Sequence, residues 1–180
     1  MHKKIPTIFT FISNFNKKEI INLDKKVGII FRNYKEKYDK HKILLFKKLC
    51  KKQKKSFFLA NDIKLAINLD LDGVYIPAFN RELNLQKYNR KKKFLMLGSA
   101  HNIPEIKIKE KQGVDIIFLS PIFKTKNYKK GLEIIKFNIL SRKTNKKIIA
   151  LGGITKKNIN RLKIANAYGF SGISYFKDQQ

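Results

Sequence analysis

The residues whose types and spacing could do chemistry gather between Asp115 and Ile154. Two short, β-branched runs, Ile116–Leu119 and Ile148–Leu151, each stop abruptly in small or polar residues. Ser120, Pro121, Thr125 and the lysines Lys124, Lys126, Lys129 and Lys130 follow the first; Gly152 and Gly153 follow the second. An apolar run of this length between turn residues predicts a strand buried on both faces, as in a parallel sheet. In parallel α/β architectures, ligands sit at the carboxyl ends of such strands, where loops and helix N-termini meet. Two glycines at such an end, with Thr155 as the N-cap of a following helix, leave backbone N–H groups free to face an anion. The chemistry that this pattern suggests is phosphate binding. A tight turn with no ligand is the plainer alternative, and most of the lysines read singly as solvated loop charges.

The elements that must position these residues recur along the whole chain. Strand-like runs occupy Ile5–Ile12, Val27–Phe31, Ser56–Ala60, Gly73–Ile76, Phe94–Leu97, Asp115–Leu119, Lys147–Leu151 and Ser171–Phe176. Between them Ile43, Phe46, Leu49 and Cys50 mark one helical stripe, and Leu132, Ile135 and Ile139 mark another. Ile159, Leu162 and Ala165 mark a third, closed by Gly169. Asn102 with Pro104 opens a short helix that Gly113 closes. Residues 81–93 are polar and poorly periodic, which predicts a loop or a single turn. Eight strands alternating with crossovers imply a parallel sheet wound in one sense. Closure into a (β/α)8 TIM barrel explains eight units without a break in composition, so residues 1–180 are expected to form one compact domain with short helices. An open doubly wound sheet is less well supported, because Ile12-Ser13-Asn14 stands where a Gly-x-Gly-x-x-Gly turn would follow the first strand.

Composition bounds the partners. The chain of 180 residues carries 41 Lys and Arg against 13 Asp and Glu, a formal charge of +28. Such a charge attracts polyanions non-specifically. Only five of the basic residues are arginine, however, and the lysines are scattered over every predicted helix and loop. No cluster of aromatics with arginine forms a base-stacking platform. The expectation is therefore no specific nucleic-acid partner. No apolar run approaches the roughly 20 residues that span a membrane, and the basic, apolar start of the chain reads as a first strand, not a signal peptide. Cys50 is alone, in keeping with a reducing cytoplasm. The oligomeric state stays open, a homo-oligomer included.

Placed in order, the strand ends carry further polar groups. Arg32 follows the second strand, Asn61-Asp62 the third, Tyr75 lies within the fourth, and Gly98-Ser99-Ala100-His101 spans the end of the fifth. With Ser120-Pro121-Ile122-Phe123-Lys124-Thr125 and Gly152-Gly153-Ile154, this order resembles the thiamine phosphate synthase/TenI family of (β/α)8 barrels. The resemblance runs from about Val27 to the C-terminus and is strongest in the SPIFKT…ALGGI block.

The resemblance implies a reaction. A hydroxymethylpyrimidine diphosphate loses pyrophosphate with Mg2+ help, and the nitrogen of a thiazole phosphate captures the pyrimidine cation, giving thiamine phosphate. Positioning and electrostatics dominate such a step. The partners implied are thus two phosphorylated small molecules, a pyrimidine and a thiazole.

It also implies roles. Arg32 is what remains here of a Gln-x-Arg-x-Lys motif that contacts the diphosphate; the span reads Ile30-Phe31-Arg32-Asn33-Tyr34. Asn61 matches a substrate-binding position and Asp62 a Mg2+ ligand, while a second metal carboxylate falls near Asn80, which is neutral and weakens the expected Mg2+ site. Tyr75 stands where the family often has His. Ser99 and His101 match a Ser-x-His pair. Thr125 matches a phosphate-binding threonine, Lys126 substitutes for a lysine just after it, and Gly152, Gly153 and Lys177 complete the phosphate side. The sister activity, thiazole tautomerase, is the alternative enzyme, with His101 as its acid–base group. A non-catalytic binder of a thiamine precursor is the alternative outside catalysis.

Overall fold

The computed structural model describes residues 5–177. Eight parallel strands close in sequence order into a barrel. They are β1 (Ile8–Ile12), β2 (Val27–Phe31), β3 (Phe57–Ala60), β4 (Gly73–Ile76), β5 (Leu95–Ala100), β6 (Ile116–Leu119), β7 (Lys147–Leu151) and β8 (Gly169–Ser171). Helices α1 (Lys17–Asn22), α2 (Lys40–Lys52), α3 (Ile63–Asn68), α4 (Ile103–Lys111), α5 (Glu133–Ser141) and α6 (Ser174–Lys177) lie between or after them. The (β/α)8 expectation holds. Among the described residues no helix is long and apolar enough to cross a membrane.

Alternation along the strands splits the apolar residues into two layers. Side chains facing inward, among them Phe9, Phe11, Ile30, Phe58, Tyr75, Leu97, Phe118 and Ile149, fill the barrel itself. Those facing outward meet the helices: Phe46 of α2 stacks on Phe57 of β3 with ring centroids 5.5 Å apart. Near the carboxyl ends the interior is aromatic. Phe11 meets Tyr75 edge to face at 5.1 Å, and Phe118 meets Tyr75 at 5.5 Å. Such pairs contribute roughly 0.5–1.5 kcal/mol each beyond the area they bury. They make a floor on which the mouth of the barrel rests.

Four expectations need correction. The last strand is only Gly169–Ser171, and residues 174–177 turn into α6, not a strand ending at Phe176. Ile159, Leu162 and Ala165 mark no α-helix; Ile159–Ile164 is a 3-10 helix and Ala165 ends it. The fifth strand runs on to Ala100, carrying Gly98 and Ser99 inside it. In α5 the buried side chains are Phe137, Leu140 and Ser141, while Ile135 and Ile139 are 79% and 53% exposed. Ile134, Phe137 and Leu140 recur at helical spacing just as Leu132, Ile135 and Ile139 do, so periodicity alone does not choose the face. The polar crossover of residues 81–93 is one 3-10 turn, Asn84–Lys87, as expected.

Candidate active site

The loops after β6, β7 and β8 enclose a cavity of about 590 Å3. Lys124, Thr125 and Lys126 line it from the first loop, Gly152 and Gly153 from the second, and Ser171 and Ser174 from the third. The glycines have φ of +96° and +71°, in the left-handed region that side chains disfavour. A Cβ on Gly153 would sit 2.4 Å from the Lys124 carbonyl oxygen, so the turn also needs glycine to pack against the β6 loop. Pairing of the loops is reinforced by the Phe123 N–H, which donates to the Gly152 carbonyl at 3.1 Å. The N–H groups of Gly153 and Ile154 donate to no acceptor among the described residues. Ser171 is fully buried, lines the cavity, and its hydroxyl has no partner there either. Unpaired buried polar groups are rare and call for an explanation. Sequence reasoning placed Ser171 at a strand start and passed over it; its inward register, opposite Leu151, is the signal that identifies it.

The helix that was to follow the Gly-Gly turn is altered. Thr155 does not cap an α-helix. Its N–H instead donates to Asn158 Oδ1 at 2.9 Å, and the Asn158 amide donates to the Gly153 carbonyl at 2.8 Å. Asn158 thus braces the turn, and the unengaged donors here are loop N–H groups with no α-helix N-terminus behind them. The backbone of Lys177 lies in α6, and its side chain is outside the described residues.

A second cavity of about 400 Å3 opens beside the first, lined by Phe11, Ser13, Asn14, Glu19 and Arg32, with Ile173 shared between the two. Arg32 follows β2 in the inward register, and its guanidinium carbon lies 4.5 Å from the Phe11 ring centre. That packing holds the cation over the aromatic floor. Tyr75 is buried beneath the mouth, where burial raises its hydroxyl pKa against the opposing effect of the hydrogen bond with Ser99.

On the β3–β4 side the polar groups are largely engaged with one another. Asn61 adopts φ of +60° directly after β3, a conformation asparagine tolerates. Asp62 caps α3, its Oδ1 accepting the Leu65 N–H at 2.9 Å. Asn80 donates its amide to Asn61 Oδ1 at 2.8 Å, and its own Oδ1 accepts from the Glu82 N–H and from Gln112. Those two donors fix the amide orientation, so Asn80 presents an N–H and no lone pair toward Asn61. Among the described residues no three His, Cys, Asp or Glu side chains cluster as metal ligands. The donor set therefore suits Mg2+ only through the remaining oxygen of Asp62, with water and a substrate diphosphate completing the shell.

Three further residues escaped the sequence reading. Lys109 of α4 is fully buried, and its ammonium donates to the Pro77 and Asn80 carbonyls, both at 2.8 Å, and to Gln112 Oε1 at 2.7 Å. Burial lowers its pKa to about 8, partly countered by the charge of Glu105. Gly98 makes room for its stem: a Cβ there would meet Lys109 Cδ at 2.9 Å. A lysine on a helix normally reads as surface, so neither Lys109 nor Gln112 was legible. Glu105 was legible in principle through the Asn102-x-x-Glu105 spacing of a capping box. Its Oε2 accepts the His101 N–H and meets His101 Nδ1, both at 2.8 Å. The His101 ring stacks near Tyr128 of the β6 loop, centroids 6.0 Å apart.

Comparison with known proteins decides the family. The family model for thiamine monophosphate synthase matches residues 19–176. The chain belongs to this family. A relative in Aquifex aeolicus is 36% identical over 132 residues, covering 71% of this chain and 69% of its own. A thiamine-phosphate synthase of Prochlorococcus marinus is 34% identical over 146 residues, and one of Helicobacter pylori 30% over 139. The matches cover 77% and 73% of this chain but only 42% and 64% of those two proteins. The solved thiamine phosphate pyrophosphorylase from Pyrococcus furiosus shares the fold, with a TM-score of 0.73 over 96% of this chain and 91% of its own at 14% identity.

Proposed function

We propose that this chain is a thiamine phosphate synthase, joining a hydroxymethylpyrimidine diphosphate to a thiazole phosphate with release of pyrophosphate. The observation that carries the reading is the β6–β8 cavity. Gly153, Ile154, Ser171, Thr125 and Lys126 all line it, and the Gly153 and Ile154 N–H groups and the buried Ser171 hydroxyl have no partner among the described residues. That donor set suits a phosphate monoester, the group that anchors the thiazole. The neighbouring cavity with Arg32 takes the pyrimidine half, because Ile173 borders both and the two rings must meet there.

Arg32 neutralises charge on the diphosphate as the leaving group departs. Asp62 would hold Mg2+, which when bound would supply further neutralisation of that pyrophosphate. Tyr75, kept protonated by burial and bonded to Ser99, orients the pyrimidine from below without adding charge to the mouth. A second reading rests on one contact. Glu105 against His101 Nδ1 fixes the tautomer that leaves Nε2 as a base, which suits proton transfer in a thiazole tautomerase. We place the chemistry in the cytoplasm, with the two phosphorylated small molecules as partners.

Incubation of the protein with both halves, with and without Mg2+, tests the reading through thiamine phosphate formation. The synthase forms it in a Mg2+-dependent manner. Isomerisation of a thiazole carboxylate phosphate without any joining of halves would transfer the assignment to the tautomerase.

A further inference from the structure

The outer face of α5 carries apolar side chains that the fold does not use. Phe137, Leu140 and Ser141 are buried, while Ile135 and Ile139, four residues apart on the opposite face, are 79% and 53% exposed. A third isoleucine joins them from the 3-10 helix Ile159–Ile164, whose last residue is 72% exposed. Asn138, beside Ile139, ties the two segments together. Its amide donates to the Ile164 carbonyl at 3.0 Å, and its Oδ1 accepts the Asn166 N–H at 2.7 Å. The three isoleucines therefore share one surface on the outer wall of the barrel. Isoleucine is a mediocre helix former, so neither packing nor propensity explains its use there. An exposed apolar cluster rimmed by polar residues marks an interaction surface.

The charges around this cluster have one sign. Lys136, Arg142 and Lys143 flank it on α5 and its end, and Arg161 and Lys163 on the 3-10 helix, all of them exposed. Glu133 is the single acidic residue between Ile116 and Lys177, and Arg161 holds it in an ion pair. Glu110 of α4 reaches the same wall at Thr144, and Lys107 pairs with it. An apolar centre inside a cationic rim complements a surface that is anionic outside and apolar within. A second copy is a poor match, because two such rims would meet in a chain of formal charge +28. Nucleic acid has the charge, but its contacts use phosphates and base faces, to which aliphatic side chains on a helix add little. An acidic protein is a weaker match too. Carboxylates are best held by bidentate arginine, and apart from the engaged Arg161 this rim is three lysines and one arginine.

We propose that this face docks the protein on an anionic membrane surface. Ile135, Ile139 and Ile164 enter the boundary between headgroups and acyl chains, and the flanking lysines face the lipid phosphates. The inference is independent of the reading of the active site. Helix α5 runs along the outer wall, whereas the two cavities open at the carboxyl ends of the strands, so a docked molecule keeps its mouth open to solution. Three aliphatic side chains with a few charges make a reversible contact, not an anchor. Charge brings the protein to the surface, and the isoleucines hold it there.

Co-sedimentation of the 180-residue chain with vesicles tests this, comparing equal parts of phosphatidylglycerol and phosphatidylcholine with phosphatidylcholine alone. Wild type should bind the anionic vesicles and ignore the zwitterionic ones. The triple variant Ile135→Ser, Ile139→Ser, Ile164→Ser should bind the anionic vesicles at least ~10-fold more weakly, since affinity scales with the apolar area buried. Its thermal unfolding should stay close to wild type, because these side chains are largely in solvent. A second pair of variants separates the face from the net charge. Lys136→Glu with Lys143→Glu should weaken binding by a similar factor. Lys92→Glu with Lys93→Glu, an equal charge change in the exposed crossover before β5, should not. Equal binding by wild type and the serine variant, or equal losses from the two charge reversals, would overturn the inference by showing adsorption through overall charge. Failure of wild type to bind anionic vesicles would overturn it and leave the face to an acidic protein. A wild-type dimer in sedimentation equilibrium that the serine variant dissociates would also overturn it, since a second copy would then cover the face.

Discussion

The two sides of the barrel mouth differ in how their polar groups are used. On the β6–β8 side, the Gly153 and Ile154 N–H groups and the Ser171 hydroxyl, all of residues that line one cavity, have no partner among the described residues, while Asn158 braces the turn. On the β2–β4 side almost every polar group is already engaged: Asp62 caps α3, Asn80 is bonded to Asn61, Glu82 and Gln112, and Arg32 lies on Phe11. In the loops after β2 and β4 the Tyr34 and Phe79 rings meet edge to face, 5.3 Å apart. A pocket with unsatisfied donors is preorganised for an anion, because nothing must be broken before the ligand binds. A pocket whose polar groups satisfy each other binds by shape and stacking, and any metal there must compete with existing hydrogen bonds. The first side should therefore bind its phosphate tightly alone, and the second should be weaker and more metal-dependent.

The sharpest way to break that contrast is Gly153→Asp. It adds a negative charge to the anion site and a Cβ 2.4 Å from a carbonyl oxygen at a φ of +71°. Thiazole phosphate affinity should fall by more than ~100-fold, as several charge-assisted contacts are lost together. Pyrimidine diphosphate binding, measured on the folded fraction, should change little. Equal losses on both sides would show that the halves are not independent.

Lys109→Met tests the rigidity of the β4 loop. It takes the ammonium from the Pro77 and Asn80 carbonyls, which keep the Asn80 N–H and the Gln112 amide as donors, and it leaves Gln112 Oε1 without its donor; an unsatisfied buried group costs about 1–3 kcal/mol. Thermal unfolding should fall accordingly, with the Michaelis constant for the pyrimidine half rising more than that for the thiazole. Linkage gives a second readout. The Lys109 pKa falls from 10.5 in the unfolded chain to about 8 in the fold. Between those values the unfolded state binds the extra proton, so stability contributed by this group rises with pH across the window. Denaturation midpoints followed from about pH 8 to 10.5 should show a smaller rise in Lys109→Met than in wild type.

Asn80→Asp addresses the metal. A carboxylate at this position adds a hard oxygen ligand and a charge, so the Mg2+ concentration for half-maximal activity should fall several-fold. An unchanged requirement would mean that the β4 loop does not reach the metal. The smallest effect is expected from His101→Asn. Ionisation and capture move no proton at this residue, so synthase turnover should drop no more than ~10-fold, whereas acid–base groups are typically worth about 10²–10⁴. Loss of tautomerisation with the thiazole ligand still bound would favour the second reading.

How much of this was legible follows from the forces involved. Barrel strands buried on both faces leave continuous apolar runs, and five of the eight were found within about one residue of their boundaries, while the first began and the fifth ended three residues from where the sequence put them. The eighth was displaced because Gly-Phe-Ser is too short to stand out from the apolar residues of α6 beside it. Gly152 and Gly153 were legible because both φ > 0 and close packing demand glycine. The hydrogen-bond partners of Asn80 were not, since which lone pairs remain free depends on contacts from Gln112, 32 residues away. Lys109 was hidden for the same reason: only the fold turns a helix lysine inward. Tyr34 and Phe79 are far apart in sequence, and nothing local to either announces the other.

The claim that the β6–β8 cavity is built for a phosphate monoester is tested most directly by one titration. Thiazole phosphate and its dephosphorylated alcohol are titrated into wild type and into the double variant Thr125→Val, Ser171→Ala. Wild type should prefer the phosphate by at least ~10-fold, since a hydrogen bond to a charged group is worth about 1.5–3 kcal/mol, and the double variant should lose most of that preference. A wild type that binds both ligands equally, or a double variant that discriminates as well as wild type, would contradict the assignment of the pocket.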